Sequence, residues 1–352
     1  MAVKSKLSSR QFSNSNNMKA SQMKIRNWTL LGLVIVLAVG IFVALRPVAT
    51  EISATVDTLR AGYLPHHGYL PLFVAWDHGY FSDENLIVTT NRFDSSPAMS
   101  TAFVNGDIDV LPIATSVALA IESRDPGKFL VFATSSESKT GYLTALVTMP
   151  TSGIKMVEDL RGKKVGCFPG PASLTLFGMV FQKHGLDPKK DLVLTELPPP
   201  LQIQALISGQ VDALATYEPT ATKAVEENGA VKFFPAAVET DVLDPTQGGL
   251  WIISSDIVRT RPETARRFNR AIYRAIDYIR EHSADALISV TNFTSTSAAV
   301  AAKLPSIPYQ KSGEIDANAL QKHADIMTDH GVLSKRIEVQ PLLLDTNSLP
   351  LD

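Results

Sequence analysis

The chain has 352 residues, with 33 basic and 35 acidic side chains and a formal net charge of −2. That length is enough for one large domain or two ordinary ones, each with its own core. Residues 1–27 hold six basic side chains and no acid, so the rest carries −8; an acidic body lacks the clustered Lys and Arg of a nucleic-acid footprint, and no nucleic-acid partner is expected.

Residues 1–27 are rich in Ser, Asn and Lys without apolar periodicity, and read as a cytoplasmic tail. The run Trp28–Leu45, "WTLLGLVIVLAVGIFVAL", carries no charge. As a helix it would reach roughly 27 Å, close to the thickness of a bilayer core. Lys4, Lys6, Arg10, Lys19, Lys24 and Arg26 precede it, which keeps the N-terminus in the cytoplasm and sends the body outward. The long basic segment and the absence of a clean small-residue cleavage site in "LRPVATEIS" favour an uncleaved signal-anchor over a cleaved signal peptide. The expected location is therefore the inner (cytoplasmic) membrane, single-pass through residues 28–45, with the body on the periplasmic or extracellular side. Residues 46–56 form a linker, and the folded body begins near Thr58.

The body contains an internal echo. The first copy runs strand ("TLRAGYL"), helix ("PLFVAWDHGYF"), strand ("NLIVTTNRF"), helix ("PAMSTAFVNGD") and strand ("IDVLPIA"). The second runs strand ("KKVGCFPG"), helix ("ASLTLFGMVFQKHG"), strand ("DLVLTEL"), helix ("PLQIQALISGQ") and strand ("VDALATYEP"). Gly79 and Gly185 close corresponding helices, where a left-handed residue is needed. His78 and His184 each precede such a glycine, where an imidazole meets the helix C-terminal dipole. Asp109 and Asp212 open corresponding strands as turn-stabilising residues. Alternating strands and helices predict parallel sheets covered by helices on both faces. After Gly248 and Gly249 comes a strand, "LWIISS", then a long helix from Pro262, with Ala265, Phe268, Ile272, Ile276 and Ile279 on its buried face. Helical stretches follow around 295–303 and 316–330.

The C-terminal part has no further echo and is expected to pack back on the first lobe. This gives two α/β lobes: residues 58–146 with 250–345, and residues 147–249, joined by crossings near Leu146–Thr148 and Gln247–Leu250. Ligands of open α/β sheets sit beyond the C-terminal strand ends. Five loops qualify: 62–69, 113–118, 168–174, 216–221 and 246–251. Their candidate ligand-binding residues are Tyr63, His66, Tyr69, Thr115, Ser116, Pro169, Ser173, Tyr217, Glu218, Gln247 and Trp251. The tyrosines and Trp251 suit the walls of a small-molecule pocket. Ser173 opens a helix and suits an anion or a carbonyl oxygen. Glu218 would repel an anion and favour an amine.

Metal and catalytic chemistry find little support. The side chains of the adjacent His66 and His67 diverge, and neither a paired-histidine motif nor a paired carboxylate accompanies them and His78. Nucleophile-elbow, phosphate-loop and dinucleotide-loop motifs are missing, and the single Cys167 excludes an intrachain disulfide and a multi-cysteine metal centre. No metal, cofactor or catalytic residue is expected.

The segments "AGYLPHHGYLPLFVAWDHGYFSDENLIV", "DLRGKKVGCFPGPAS" and "LISGQVDALATYEPTATKA" together resemble the substrate-binding proteins of ABC importers, in the nitrate/sulfonate/taurine and thiamine-precursor (NMT1-like) group. The similarity covers about residues 58–345. It implies a type II periplasmic-binding-protein fold, here preceded by one N-terminal transmembrane helix, which closes on a small organic solute and delivers it to an ABC permease and its ATPase as a monomer. A sulfonate is expected slightly ahead of a thiamine-type pyrimidine. The resemblance places ligand contacts at Tyr63–Tyr69, Thr115–Ser116, Pro169–Ser173 and Tyr217–Glu218. The alternatives are a synthase-like enzyme of the pyrimidine branch, whose cysteine-rich motif this chain lacks, and a membrane-tethered solute sensor.

Overall fold

A computed structural model describes residues 56–345. The expected tail (1–27) and anchor (28–45) lie outside the described residues. Among the described residues no helix is long and apolar enough to cross a membrane.

The first copy supplies β1 (Asp57–Tyr63), β2 (Leu86–Arg92) and β3 (Val110–Ala114), with β1 parallel to both neighbours. The chain continues through β4 (Phe129–Glu137) and β5 (Thr144–Thr148). The second copy supplies β6 (Lys164–Cys167), β7 (Val193–Glu196) and β8 (Ala213–Tyr217), again with the first strand parallel to the other two. β9 (Val231–Pro235), β10 (Thr246–Ser254) and β11 (Tyr309–Lys311) complete the set. The strands form a six-stranded sheet in the order β11-β4-β10-β3-β1-β2 and a five-stranded sheet in the order β7-β6-β8-β5-β9.

The echo is physical. In the first copy the Arg60 N–H donates to Asp109 Oδ2 and the Asp109 N–H donates to the Arg60 carbonyl, both at 2.8 Å. In the second, Lys164 and Asp212 exchange the same two bonds, both at 2.8 Å. Each aspartate therefore ties the start of its strand to the neighbouring strand, rather than stabilising only its own turn. Gly79 (φ 70°) and Gly185 (φ 72°) are left-handed, as expected after their helices.

Neither sheet is wholly parallel. β10 runs antiparallel between β3 and β4, and β5 antiparallel between β8 and β9. The pairing of Gly249 with Ala114, and of Thr144 with Tyr217, shows the cause. Each of these strands enters its sheet at the C-terminal ends of the parallel strands, and from there it has to run backwards. The crossings also fall earlier than the sequence suggested. Thr144–Thr148 already belongs to the second sheet and Thr246–Ser254 to the first, so the chain passes between sheets in residues 138–143 and 242–245.

The helix Pro262–Glu281 buries Ala265, Phe268, Ile272, Ile276 and Ile279, the face its spacing predicts. Its polar side holds the first copy: Arg270 pairs with Glu84 at 2.9 Å, and Arg267 with Asp57.

Candidate functional site

The C-terminal ends of β1, β4 and β8 and the starts of β5 and β10 lie around the two crossings. The loop after β1 is held by its own atoms: His66 Nδ1 accepts the Gly68 N–H at 3.0 Å, and the rings of His66 and His67 stack with centroids 5.6 Å apart. His67 is 1 % exposed, yet neither ring nitrogen has a hydrogen-bond partner of good geometry, although backbone of Glu218 and Pro305 is nearby. Burial holds its pKa well below the usual imidazole value, and backbone of Glu218 from the second sheet lies beside it. Burial alone takes His66 down to about 4. Tyr309 closes the loop, its hydroxyl 3.3 Å from the Gly68 carbonyl oxygen.

Second-sheet residues face this loop. Gly170 (φ 114°) turns the chain after Pro169, and its N–H donates to Glu196 at 2.8 Å. The helix Pro171–Lys183 then begins, with the buried Ser173 Oγ lacking a hydrogen-bond partner of good geometry, although the Tyr217 phenol is nearby. Tyr217 stands edge-on to Phe168 and Phe177, at 5.1 and 5.7 Å between centroids, and burial raises its pKa. Glu218 is fully buried and already matched: Lys232 Nζ lies 2.5 Å from one oxygen, and the Thr222 N–H donates to the other at 2.8 Å. It is not the free carboxylate that the sequence suggested for an amine.

Several expected site residues make contacts within the first lobe. Tyr63 packs edge-on to Phe73, Trp76 and Phe293, and Tyr69 lies over Phe73 and beside His66. Thr115 Oγ1 donates to the Gln247 carbonyl at 2.5 Å. The Gln247 amide accepts from Thr134 and donates to Ser136. Ser116 is buried at the start of the helix Thr115–Arg124. Trp251 is 1 % exposed, paired between Pro112 and Ala133 and edge-on to Phe132. It belongs to the core of the first sheet, because β10 has already entered that sheet at Thr246.

Sequence reasoning missed the pair of buried carboxyls at the crossings. Glu137 ends β4 and is 1 % exposed; Glu239, in the helix Ala237–Asp241, is 2 % exposed. Glu137 accepts from Ser135 Oγ at 2.6 Å and from the Gly248 N–H at 2.7 Å. Glu239 accepts from Thr144 Oγ1, which in turn accepts the Val238 N–H at 3.1 Å. Burial pushes Glu137 up to about 8, against the Ser135 hydroxyl and helped by the charge of Glu239. Burial pushes Glu239 up to about 7, against Thr144. The Tyr217 phenol senses both carboxyls, Tyr142 senses Glu239, and Tyr309 senses Glu137. Neither glutamate sits in a motif; only the double crossing brings together residues so far apart in the chain. Among the described residues, no group of three or more His, Cys, Asp or Glu is placed to hold a metal ion. Cys167 is buried, which pushes its thiol up to about 12.

Comparison with known proteins gives a concordant picture. A model of the NMT1-like family matches residues 53–292. The protein YtlA of Bacillus subtilis (strain 168) is 24 % identical over 266 residues, covering 74 % of this chain and 77 % of that one. The periplasmic aliphatic sulphonate binding protein SsuA from Escherichia coli superposes with a TM-score of 0.68 at 18 % identity, covering 82 % of this chain and 92 % of its own. The desulfurization enzyme DszB superposes with a TM-score of 0.62 at 17 % identity, covering 83 % and 99 %. These likenesses show the α/β periplasmic-binding-protein fold, which binding proteins and an enzyme share.

Proposed function

This chain belongs to the NMT1-like family, and from that premise we propose that it is the extracytoplasmic substrate-binding component of an ABC importer. It takes a small organic solute between its two sheets and delivers it to a permease and ATPase. The apolar run Trp28–Leu45 would tether it to the membrane. The observation that carries the reading is the buried polar cluster at the crossings. Glu137, Glu239, His67 and Ser173 come from both sheets and are almost fully buried, and the last two have side-chain polar atoms whose neighbours, the Glu218 and Pro305 backbone and the Tyr217 phenol, are not placed for a hydrogen bond of good geometry. Burying such groups costs stability, and a fold does not need them at the seam between two sheets. A solute that uses them explains their presence. Thiol catalysis is disfavoured because the one thiol is buried and held protonated.

The test is a thermal-shift screen of small organic solutes on the body from Thr58 onward, followed by small-angle scattering. A solute at 100 times its dissociation constant should stabilise the body by about 2.7 kcal/mol, and saturation should compact it as the sheets close. A screen without any shift would defeat the binding reading. A shift without compaction would defeat closure.

A further inference from the structure

We propose that Glu137 and Glu239 form a subsite for a cationic nitrogen, an ammonium or amidinium group carried by the solute. The inference rests on the solute-binding reading and adds what the solute must carry.

The two carboxyls approach from different lobes. Glu137 is at the end of a first-sheet strand, and Glu239 is in a helix that follows the last strand of the second sheet. Each is fixed by short local bonds: Ser135 and the Gly248 N–H for Glu137, Thr144 for Glu239. A carboxylate offers about four acceptor positions, so these bonds orient the groups and leave capacity for a donor-rich ligand. Gly248 shows how closely the strand is shaped around Glu137: a Cβ there would come within 2.2 Å of Oε2.

Among the described residues, no cation pairs with either carboxyl. Lys232 is committed to Glu218 at 2.5 Å and also donates to Thr222 at 2.7 Å. Lys139 pairs at 3.9 Å with Asp244, which adds a further negative charge near Glu239. The tyrosines that sense the pair are Tyr142, Tyr217 and Tyr309, all neutral at physiological pH.

A second, independent observation marks the place as a ligand site. Ser173 is 5 % exposed and its hydroxyl, beside the Tyr217 phenol whose ionisation both carboxyls oppose, has no partner of good geometry. A hydroxyl buried this way at a helix start serves an acceptor on the solute. Two carboxyls and a hydroxyl donor suit a solute that carries both a cationic nitrogen and an oxygen acceptor. Aminosulfonates satisfy this, and simple alkyl sulfonates do not.

The proton balance is specific. Near neutral pH burial keeps Glu137 mostly protonated and Glu239 about half protonated. Arrival of a cation favours the ionised form, so one carboxyl gives its proton to the buffer as the ion pair forms. The experiment titrates the full body calorimetrically with matched pairs: 2-aminoethanesulfonate against ethanesulfonate, and 4-aminopyrimidine against pyrimidine. The amino partner of at least one pair should bind at least ten-fold tighter. Its heat should vary with the ionisation enthalpy of the buffer, as release of about one proton requires, and the ten-fold gap should vanish in Glu137→Gln or Glu239→Gln. Both variants are isosteric with the protonated side chain, so they should keep the wild-type fold. Equal binding by the deaminated partners, or a gap that survives both substitutions, overturns the subsite while leaving the solute-binding reading standing. No binding by any of the four probes overturns the subsite for both ligand classes, while the broader screen decides the reading beneath it.

Discussion

Glu218 and Lys232 illustrate how a carboxylate in the seam between sheets is made tolerable. Glu218 is fully buried, and its partner is 17 % exposed, with their charged atoms 2.5 Å apart. Removing one member of such a pair strands the other in a medium that cannot solvate it, typically at 3–5 kcal/mol. The Thr222 N–H still donates to Glu218 after the change, so Lys232→Met should fall at the lower end, about 3 kcal/mol. Scanning calorimetry should show a melting point lower by roughly 5–10 °C. Lys232→Met combined with Glu218→Gln should recover most of it, because no uncompensated charge remains. An unchanged melting point in the single variant would mean that the ion pair contributes nothing to stability.

At the scale of elements, β10 does the most. Its register against β4 shifts between Gln247 and Gly249, so Gly248 is a bulge residue. The bulge aims the Gly248 N–H at Glu137 and leaves room for the carboxyl. Gly248→Ala would drive a methyl into that carboxyl and force the side chain to another rotamer. The cost should be about 1–3 kcal/mol of stability. Affinity for an amine-bearing solute should fall at least ten-fold, measured on the folded fraction by calorimetric titration. Unchanged affinity would remove Glu137 from the site. β10 also marks where sequence reading stops. The repeats were legible because their signals are local: a glycine after each helix, an aspartate before each third strand, apolar runs of strand length between. β4, β5, β9 and β11 pair with strands distant in the chain, and β4, "FLVFATSSE", is buried almost throughout, so it lacks the alternation that announces a strand. The same blindness hid Glu137 and Glu239. It also took residues 246–251 for a loop, when pairing on both sides of β10 makes them a strand inside the first sheet.

For the molecule as a whole, the buried titratable groups set a pH profile. Glu137 and Glu239 are raised from 4.5 to about 8 and about 7, so their contribution is complete below 4.5 and is lost as pH rises through those values. His66 and His323 are lowered from 6.5 to about 4, so their contribution is complete above 6.5 and is lost as pH falls through 4. Between 4.5 and 6.5 the two sets oppose each other. Above 6.5 the histidines no longer contribute a slope and the glutamates act alone, joined by His184, whose raised pKa works in the same direction. Stability should therefore decline from about pH 6.5 to about pH 8 and level off beyond. Melting points across that interval test it, and the double variant Glu137→Gln, Glu239→Gln should flatten the curve. A wild-type curve that rises over the same interval would show that the carboxyls ionise freely in the folded body.

The insertion of β10 between β3 and β4 also orders the birth of the fold. Every strand of the second sheet is present once the chain has reached Pro235, and they come from one continuous stretch that starts at Thr144. The first sheet cannot be completed then: β3 and β4 wait with their facing edges unpaired until Thr246–Ser254 has emerged, and β4 waits further for Tyr309–Lys311. Pairings this distant in the chain are slow to close, and open edges invite wrong partners. The lobe whose first strand is made earliest is thus the last to become solid, and a chaperone that shields it would act on residues 57–137 during the interval in which the other lobe is already formed.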